Sequence, residues 1–111
     1  MTRIEITRKD GRIIKAEAVG HTGYAKAGED IVCASLSSIV QTAALGLLLV
    51  AGIPIDYKTD EKKGYLKIEL PEALTKKQED DAKVILETML CGISDFYTDY
   101  SDYIELVINN K

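Results

Sequence analysis

The sequence predicts an α+β (mixed α/β) fold, a two-layer sandwich in which a sheet of about five strands packs against two helices. Three observations predict it. Apolar and polar residues alternate near the N-terminus, which is typical of a strand with one buried face. Two turn sequences lie between strand-like runs, and each indicates a hairpin. Two longer segments carry apolar residues at helical spacing. The expected order is β-β-α-β-β-α-β.

Length and composition favour a single globular domain over residues 1–111. The chain is 46% hydrophobic and 29% charged, which suits a protein with a real core. Its formal net charge is −4, which counts against direct nucleic-acid binding and fits a basic partner. Two cysteines and a charged, strand-like N-terminus without a targeting pattern predict free thiols in the cytoplasm.

The N-terminal third predicts a hairpin that leads to a glycine-rich loop. Residues 3–8 alternate as a strand, and Asp10-Gly11 is a strong short hairpin signal. The second strand covers residues 13–19 and ends at Gly20. The lone histidine, His21, is therefore expected at the edge of the sheet.

The first helix is expected from Asp30 to Ala51, after a loop over residues 21–29. Asp30 is a favoured N-cap residue type, and a cap there would place Cys33 in the first helical turn. Gly52 is a typical residue just beyond a helix end. A helix this apolar favours cover on more than one side, which indicates a homodimer.

Residues 31–53 carry no charge, which is long enough to raise the question of a membrane-spanning helix. Polar side chains in its first half, and the lack of Lys or Arg close to either end, argue against this interpretation. The polar residues are Ser35, Ser37, Ser38, Gln41 and Thr42. A central helix buried against a sheet and a partner subunit is favoured, without membrane insertion.

The second half predicts a further hairpin, a helix and a closing strand. The hairpin strands are residues 55–60 and 65–70. Thr75 and Gln78 have the spacing of a capping box, which starts a helix that reaches about Tyr97. The closing strand is expected over residues 103–108.

The joint placement of Cys33 and His21 points to nucleophilic chemistry. A thiol in the first turn of a helix lies near unpaired N–H groups and the positive end of the helix dipole, which lower its pKa. A glycine-rich loop that brings the imidazole to this thiol completes a Cys–His pair. Two alternatives stay open at this point: a cysteine that only packs and a redox-sensing thiol.

Other residues near this pair have weaker signals. Ser37 lies one turn beyond Cys33, where its hydroxyl could bond the thiol, a substrate or the preceding helical turn. His21 and Cys33 supply only two metal ligands, Asp30 could add a third, and no CxxC is present, so neither a metal nor a cofactor is expected. Cys91 is expected to pack in the second helix.

The motif around these residues resembles a known family. GHTGYA at residues 20–25, GEDIVCA at residues 28–34 and Ser37 are similar to the signature of the ribosomal-processing cysteine proteases called Prp. The order of hairpins and helices is similar as well, so the resemblance covers nearly the whole chain.

The resemblance implies a cytoplasmic homodimeric cysteine endopeptidase, and the main alternative is a non-catalytic ribosome-assembly or peptide-binding factor. Its implied substrate is the N-terminal extension of the bacterial large-subunit ribosomal protein number twenty-seven, a basic segment. By position, Cys33 is the nucleophile and His21 the general base. Asp30 and Ser37 are supporting residues, and Gly20 is the hinge glycine. The residues themselves add a hypothesis, a backbone oxyanion hole at Cys33 and Ala34.

Overall fold

The structure, a computed structural model, describes residues 1–20 and 27–111, and of residues 27–30 it describes the backbone only. The predicted order and α+β class are confirmed. The elements are β1 (Thr2–Lys9), β2 (Arg12–Val19), α1 (Ala27–Leu45), β3 (Asp56–Asp60), β4 (Tyr65–Glu69), α2 (Lys76–Tyr100) and β5 (Ile104–Asn110).

The five strands form one sheet in the order β3-β4-β2-β1-β5. The β1–β2, β2–β4 and β3–β4 pairs are antiparallel, and β5 runs parallel to β1. One end of the sheet is therefore formed by the C-terminal end of β2 and the N-terminal ends of β1, β4 and β5. The alternation of apolar residues predicts strands but not this order, because strand order depends on where the connecting helices cross.

One face of the sheet forms the core with the two helices. Ile4 pairs with Ala18, and Ala18 pairs with Leu66 on the next strand. These side chains are buried, whereas residues one position along point to the opposite face and are mostly charged. The largest fully buried side chains are those of Ile4, Ile6, Leu36, Leu47, Ile53, Ile68, Leu86, Ile93, Val32 and Val40.

The helical segment that starts with α1 continues as a wider π-type turn over Gly46–Val50. The N–H of Ala51 donates to the Gly46 carbonyl at 2.9 Å, and the N–H of Ile53 donates to the Leu47 carbonyl at 2.8 Å. Gly52 then adopts a φ of +64°, a conformation that favours glycine. The predicted end at Gly52 is thus confirmed.

The capping box at the start of α2 is also confirmed. The N–H of Gln78 donates to the Thr75 hydroxyl at 3.1 Å, and the N–H of Thr75 donates to the Gln78 side chain at 2.9 Å. The helix continues beyond the predicted Tyr97 to Tyr100, whose ring stacks on Phe96 with centroids 4.6 Å apart. This aromatic pair extends the packing surface by another turn.

The two helices pack antiparallel and approach closely at two glycines. A methyl group on Gly46 would lie 3.7 Å from Ile85, and one on Gly92 would lie 3.6 Å from Ile39. At each of these two places, a glycine of one helix thus lies against an isoleucine side chain of the other.

Residues 31–50 form one helical stretch that is long and apolar enough to cross a membrane by length and composition alone. Such a helix is weak evidence for a span, because the core helix of a globular protein has the same composition. Here one side of the stretch packs in the core through Val32, Leu36, Val40 and Leu47. Packing thus accounts for the apolar residues on this side of the stretch, whereas Ile31, Leu49 and Val50 are exposed.

Candidate active site

Cys33 lies in the second turn of α1 with its side chain partly exposed. The helix begins at Ala27, so the predicted N-cap at Asp30 is wrong, as is the placement of Cys33 in the first turn. The cap prediction relied on residue type alone, and the residues before Asp30 continue the helix instead. Cys33 is therefore farther from the positive end of the helix dipole than expected.

The thiol of Cys33 packs directly on Gly20, the residue that follows β2. A Cβ atom added to Gly20 would collide with the Cys33 Sγ atom, so the thiol occupies the space that any other side chain would need. Gly20 thus allows the end of β2 and the second turn of α1 to meet. The sequence predicts Gly20 as the base of a loop, and the structure adds its contact with the thiol.

Gly64, which the sequence marks only as part of a turn, completes this arrangement. Its carbonyl accepts a hydrogen bond from the Gly20 N–H at 2.6 Å. Its φ is +61°, and a Cβ added to it would lie 3.1 to 3.3 Å from backbone atoms of Gly20. Two glycines from separate hairpins therefore lie against each other, and one of them, Gly20, contacts the thiol. Nothing in the sequence indicates that they meet.

The turn that carries Gly64 joins β3 to β4 and is held by its own hydrogen bonds. The Asp60 carboxylate accepts from the backbone N–H groups of Lys62 at 3.1 Å and Lys63 at 3.3 Å. The Gly64 N–H donates to the Glu61 carbonyl at 3.2 Å. An Asp side chain that bonds the following backbone is typical of a stable turn, and it fixes the direction of the Gly64 carbonyl.

Tyr65 connects this turn to β2 on the open face of the sheet. Its hydroxyl donates to the Glu17 carboxylate at 2.7 Å. This hydrogen bond is the main reason that the pKa of Glu17 is lowered, with Lys15 as a further cause, and it also raises the pKa of Tyr65. The contact holds the start of β4 against β2, three residues before Gly20.

Ser37 and Ala34 follow Cys33 on α1. The Ser37 hydroxyl makes no hydrogen bond to a residue that the structure describes, so neither its predicted bond to the thiol nor the bond to the preceding turn is present there. In the α-helical pattern the N–H groups of Cys33 and Ala34 donate to the carbonyls of Glu29 and Asp30. An oxyanion hole at these two amides stays a prediction, and it requires this part of the helix to open.

His21 lies outside the described residues, as does the Asp30 side chain. His21 directly follows Gly20 in the sequence. Among the described side chains, no group of three or more His, Cys, Asp and Glu residues could hold a metal ion.

Two cavities lie away from Cys33. One, of about 530 Å³, is at the opposite end of the sheet near the β1–β2 turn and the start of α2, and it includes Arg12 and Glu79. The other is a largely apolar groove of about 600 Å³ between α1 and α2, which includes Ile39, Val50 and Val84. The thiol itself lies at the end of the sheet that carries Gly20 and Gly64, and Cys33 is partly exposed.

Comparison with protein families gives a match over almost the whole chain. The family model described as cysteine protease Prp matches residues 1–105. The chain is also 29% identical over 100 residues to the ribosomal processing cysteine protease Prp of Bacillus subtilis, an alignment that covers 90% of this chain and 89% of that protein.

Solved structures with the same fold include two at 27% sequence identity. A protein from Streptococcus mutans superposes with a TM-score of 0.87, covering 100% of this chain and 96% of that one. The second is the ribosomal processing protease Prp of Staphylococcus aureus, in complex with a covalently linked product peptide. It superposes with a TM-score of 0.79, and both chains are covered completely.

Proposed function

The chain belongs to the cysteine protease Prp family, a family of ribosomal processing cysteine proteases, and from this membership we propose that Cys33 is its nucleophile and His21 its general base. The observation that carries the proposal is the contact between the Cys33 thiol and Gly20. His21, the only histidine of the sequence, directly follows Gly20, and Cys33 is partly exposed. Cys91 lies on α2, far along the chain from His21, and it is exposed, so the prediction that it packs is wrong.

The proposed reaction is hydrolysis of a peptide bond through an acyl-enzyme. His21 removes the thiol proton, and the Cys33 Sγ attacks the scissile carbonyl carbon. The C–N bond then breaks, and His21 returns the proton to the leaving amine. Water attacks the resulting thioester with His21 again as base and releases the free thiol. The peptide linked covalently to the Staphylococcus aureus relative is consistent with chemistry of this kind.

Asp30 and Ser37 have supporting roles in this proposal. Asp30 lies three residues before Cys33, where a carboxylate could orient a protonated His21. Ser37 lies one turn after Cys33 with its hydroxyl partly exposed, so it is available to substrate. Gly20 provides the close approach of β2 to the thiol.

The proposed substrate is the N-terminal extension of the large-subunit ribosomal protein number twenty-seven. The resemblance of the motif to the processing proteases supports it, and the net charge of −4 is complementary to a basic ribosomal protein. The proposed location is the cytoplasm, where this substrate is made.

We further propose that the protein is a homodimer that uses the apolar groove between α1 and α2. Val84 and Val50 are 67% and 85% exposed at this groove, and Leu49 beside it is 78% exposed. A second copy would cover the same residues on both subunits, as a two-fold interface requires. Large exposed apolar patches of this kind mark interaction surfaces.

The test follows the intact mass of the purified ribosomal precursor after addition of the protein under reducing conditions. The wild type and Cys91→Ser should release one N-terminal fragment, whereas Cys33→Ala and His21→Ala should release none. A precursor that binds but stays intact with the wild type would favour the non-catalytic peptide-binding factor. Equal cleavage by Cys33→Ala would contradict the proposed nucleophile.

A further inference from the structure

We propose that Gly64 is a positioning residue for the Cys33 thiol. It acts through the carbonyl that accepts the Gly20 N–H at 2.6 Å. Gly20 in turn packs against Sγ. The β3–β4 turn, which contributes no nucleophile or base, would therefore determine where the thiol lies. The inference goes beyond the proposed Cys33–His21 pair, and only its effect on turnover rests on that proposed function.

The first argument is steric. Backbone atoms of Gly20 lie 3.1 to 3.3 Å from the place that a Gly64 Cβ would occupy, and the Cys33 Sγ lies where a Gly20 Cβ would be. Adding an atom to Gly64 therefore requires a shift of a few tenths of an ångström between Gly64 and Gly20, which contacts the thiol. Backbone atoms cannot move aside as the end of a flexible side chain can.

The second argument is the rigidity of the turn. Gly64 has a φ of +61°, and the Asp60 carboxylate holds the turn through the N–H groups of Lys62 and Lys63. These contacts fix the Gly64 carbonyl in the direction of Gly20. A hydrogen bond from Gly20 to a mobile turn would not fix the position of the thiol in this way.

The third argument is a comparison with Gly11, which occupies the β1–β2 turn. Gly11 has a φ of +78°, so Ala is strained there as it is at Gly64. A Cβ on Gly11, however, has no atom within 4 Å. Gly11→Ala is therefore a matched control that carries the backbone strain of Gly64→Ala without its contact.

The experiment measures the rate of Cys33 alkylation by iodoacetamide as a function of pH, without substrate, in a Cys91→Ser background. Urea unfolding is measured beside it, so that reaction through the unfolded state can be subtracted. Gly64→Ala should expose one side of Sγ and raise the limiting alkylation rate by about threefold or more over Gly11→Ala. Its kcat/KM for the ribosomal precursor should fall, whereas Gly11→Ala should keep both values of the parent.

Equal alkylation of Gly64→Ala and Gly11→Ala at every pH would overturn the inference. If Gly64→Ala does not fold, Asp60→Ala and Asp60→Asn decide the question. Asp60→Ala removes the acceptor that holds the turn, whereas Asp60→Asn keeps an acceptor oxygen, so faster alkylation is expected for Ala only. Equal rates in that pair would contradict the inference. A parent protein that does not cut the precursor would contradict the proposed function but leave the alkylation comparison valid.

Discussion

Arg8 on β1 binds Glu87 on α2 through two hydrogen bonds, one to each carboxylate oxygen, the longer at 3.1 Å. The pair joins strand and helix at the end of the sheet away from Cys33. Its hydrogen bonds are the main reason that the pKa of Glu87 is lowered and that of Arg8 is raised. A planar guanidinium matches a carboxylate in this geometry. The contact therefore fixes the relative orientation of the two side chains and also pairs their charges.

The Arg8–Glu87 pair should make stability depend on pH on the acid side only. Glu87 has a folded pKa below its ordinary value of 4.5, so its contribution is present above that pH and is lost as the pH falls through the folded pKa. Arg8 stays charged over this range. Glu87→Gln should lower the free energy of unfolding at pH 7 by about 1 kcal/mol, a value reduced for solvent screening.

Urea unfolding between pH 7 and pH 3 measures this effect. The difference between wild type and Glu87→Gln should shrink as the pH falls. Asp95→Asn is the control, because this exposed carboxylate on the same helix makes no ion pair with a described residue. If the free energy of unfolding of Glu87→Gln stays below that of the wild type by the same amount down to pH 3, the charge of Glu87 is not the cause of the difference.

Replacing Gly92 by Ala should stabilise the protein. Gly92 lies inside α2, and an added methyl group would be in ordinary contact with Ile39 at 3.6 Å. The substitution should raise the free energy of unfolding by about 0.5 to 1 kcal/mol, the difference in helix propensity. Gly52→Ala is the opposite case. Gly52 has a φ of +64°, so Ala there should lower the free energy of unfolding by about 1 kcal/mol. Urea midpoints of the two variants should therefore move in opposite directions.

Local patterns predict the elements well because each pattern has a local cause. Asp10-Gly11 marks a tight turn, and Thr75 with Gln78 forms the capping box that the structure confirms. Asp30 shows the limit of such reasoning. It has the residue type of a cap, but the helix begins at Ala27, so neighbouring residues outweigh its preference.

The candidate site is less predictable because it depends on contacts between distant segments. Gly20 and Cys33 are thirteen positions apart by number, and their motif points to both residues. Gly64 is in another hairpin, and it reaches Gly20 only because β4 pairs with β2. Strand order is set by packing of the whole chain, so no short pattern in the sequence contains this contact.

The proposed dimer should be weakened by a charge at the groove between α1 and α2. Val84→Glu places a carboxylate at a position that is 67% exposed in the single chain, so the monomer should fold normally. Its dissociation constant should rise by at least about tenfold, because a buried unpaired charge is costly. Sedimentation velocity over a range of concentrations measures it. Thr98→Glu, an exposed position on the same helix outside the groove, should dimerise like the wild type.

Replacing Gly20 by Ala should impair the chemistry more than the fold. The new methyl group meets the Cys33 Sγ, so either the thiol changes its rotamer or the end of β2 moves. A displacement of about 1 Å at a nucleophile can reduce turnover by about 100-fold, and a similar loss in kcat/KM for the ribosomal precursor is expected. Gly11→Ala, where the methyl group meets no atom, should retain activity. If Gly20→Ala cuts the precursor at the wild-type rate, Gly20 does not position the thiol, and the role proposed for Gly64 also fails.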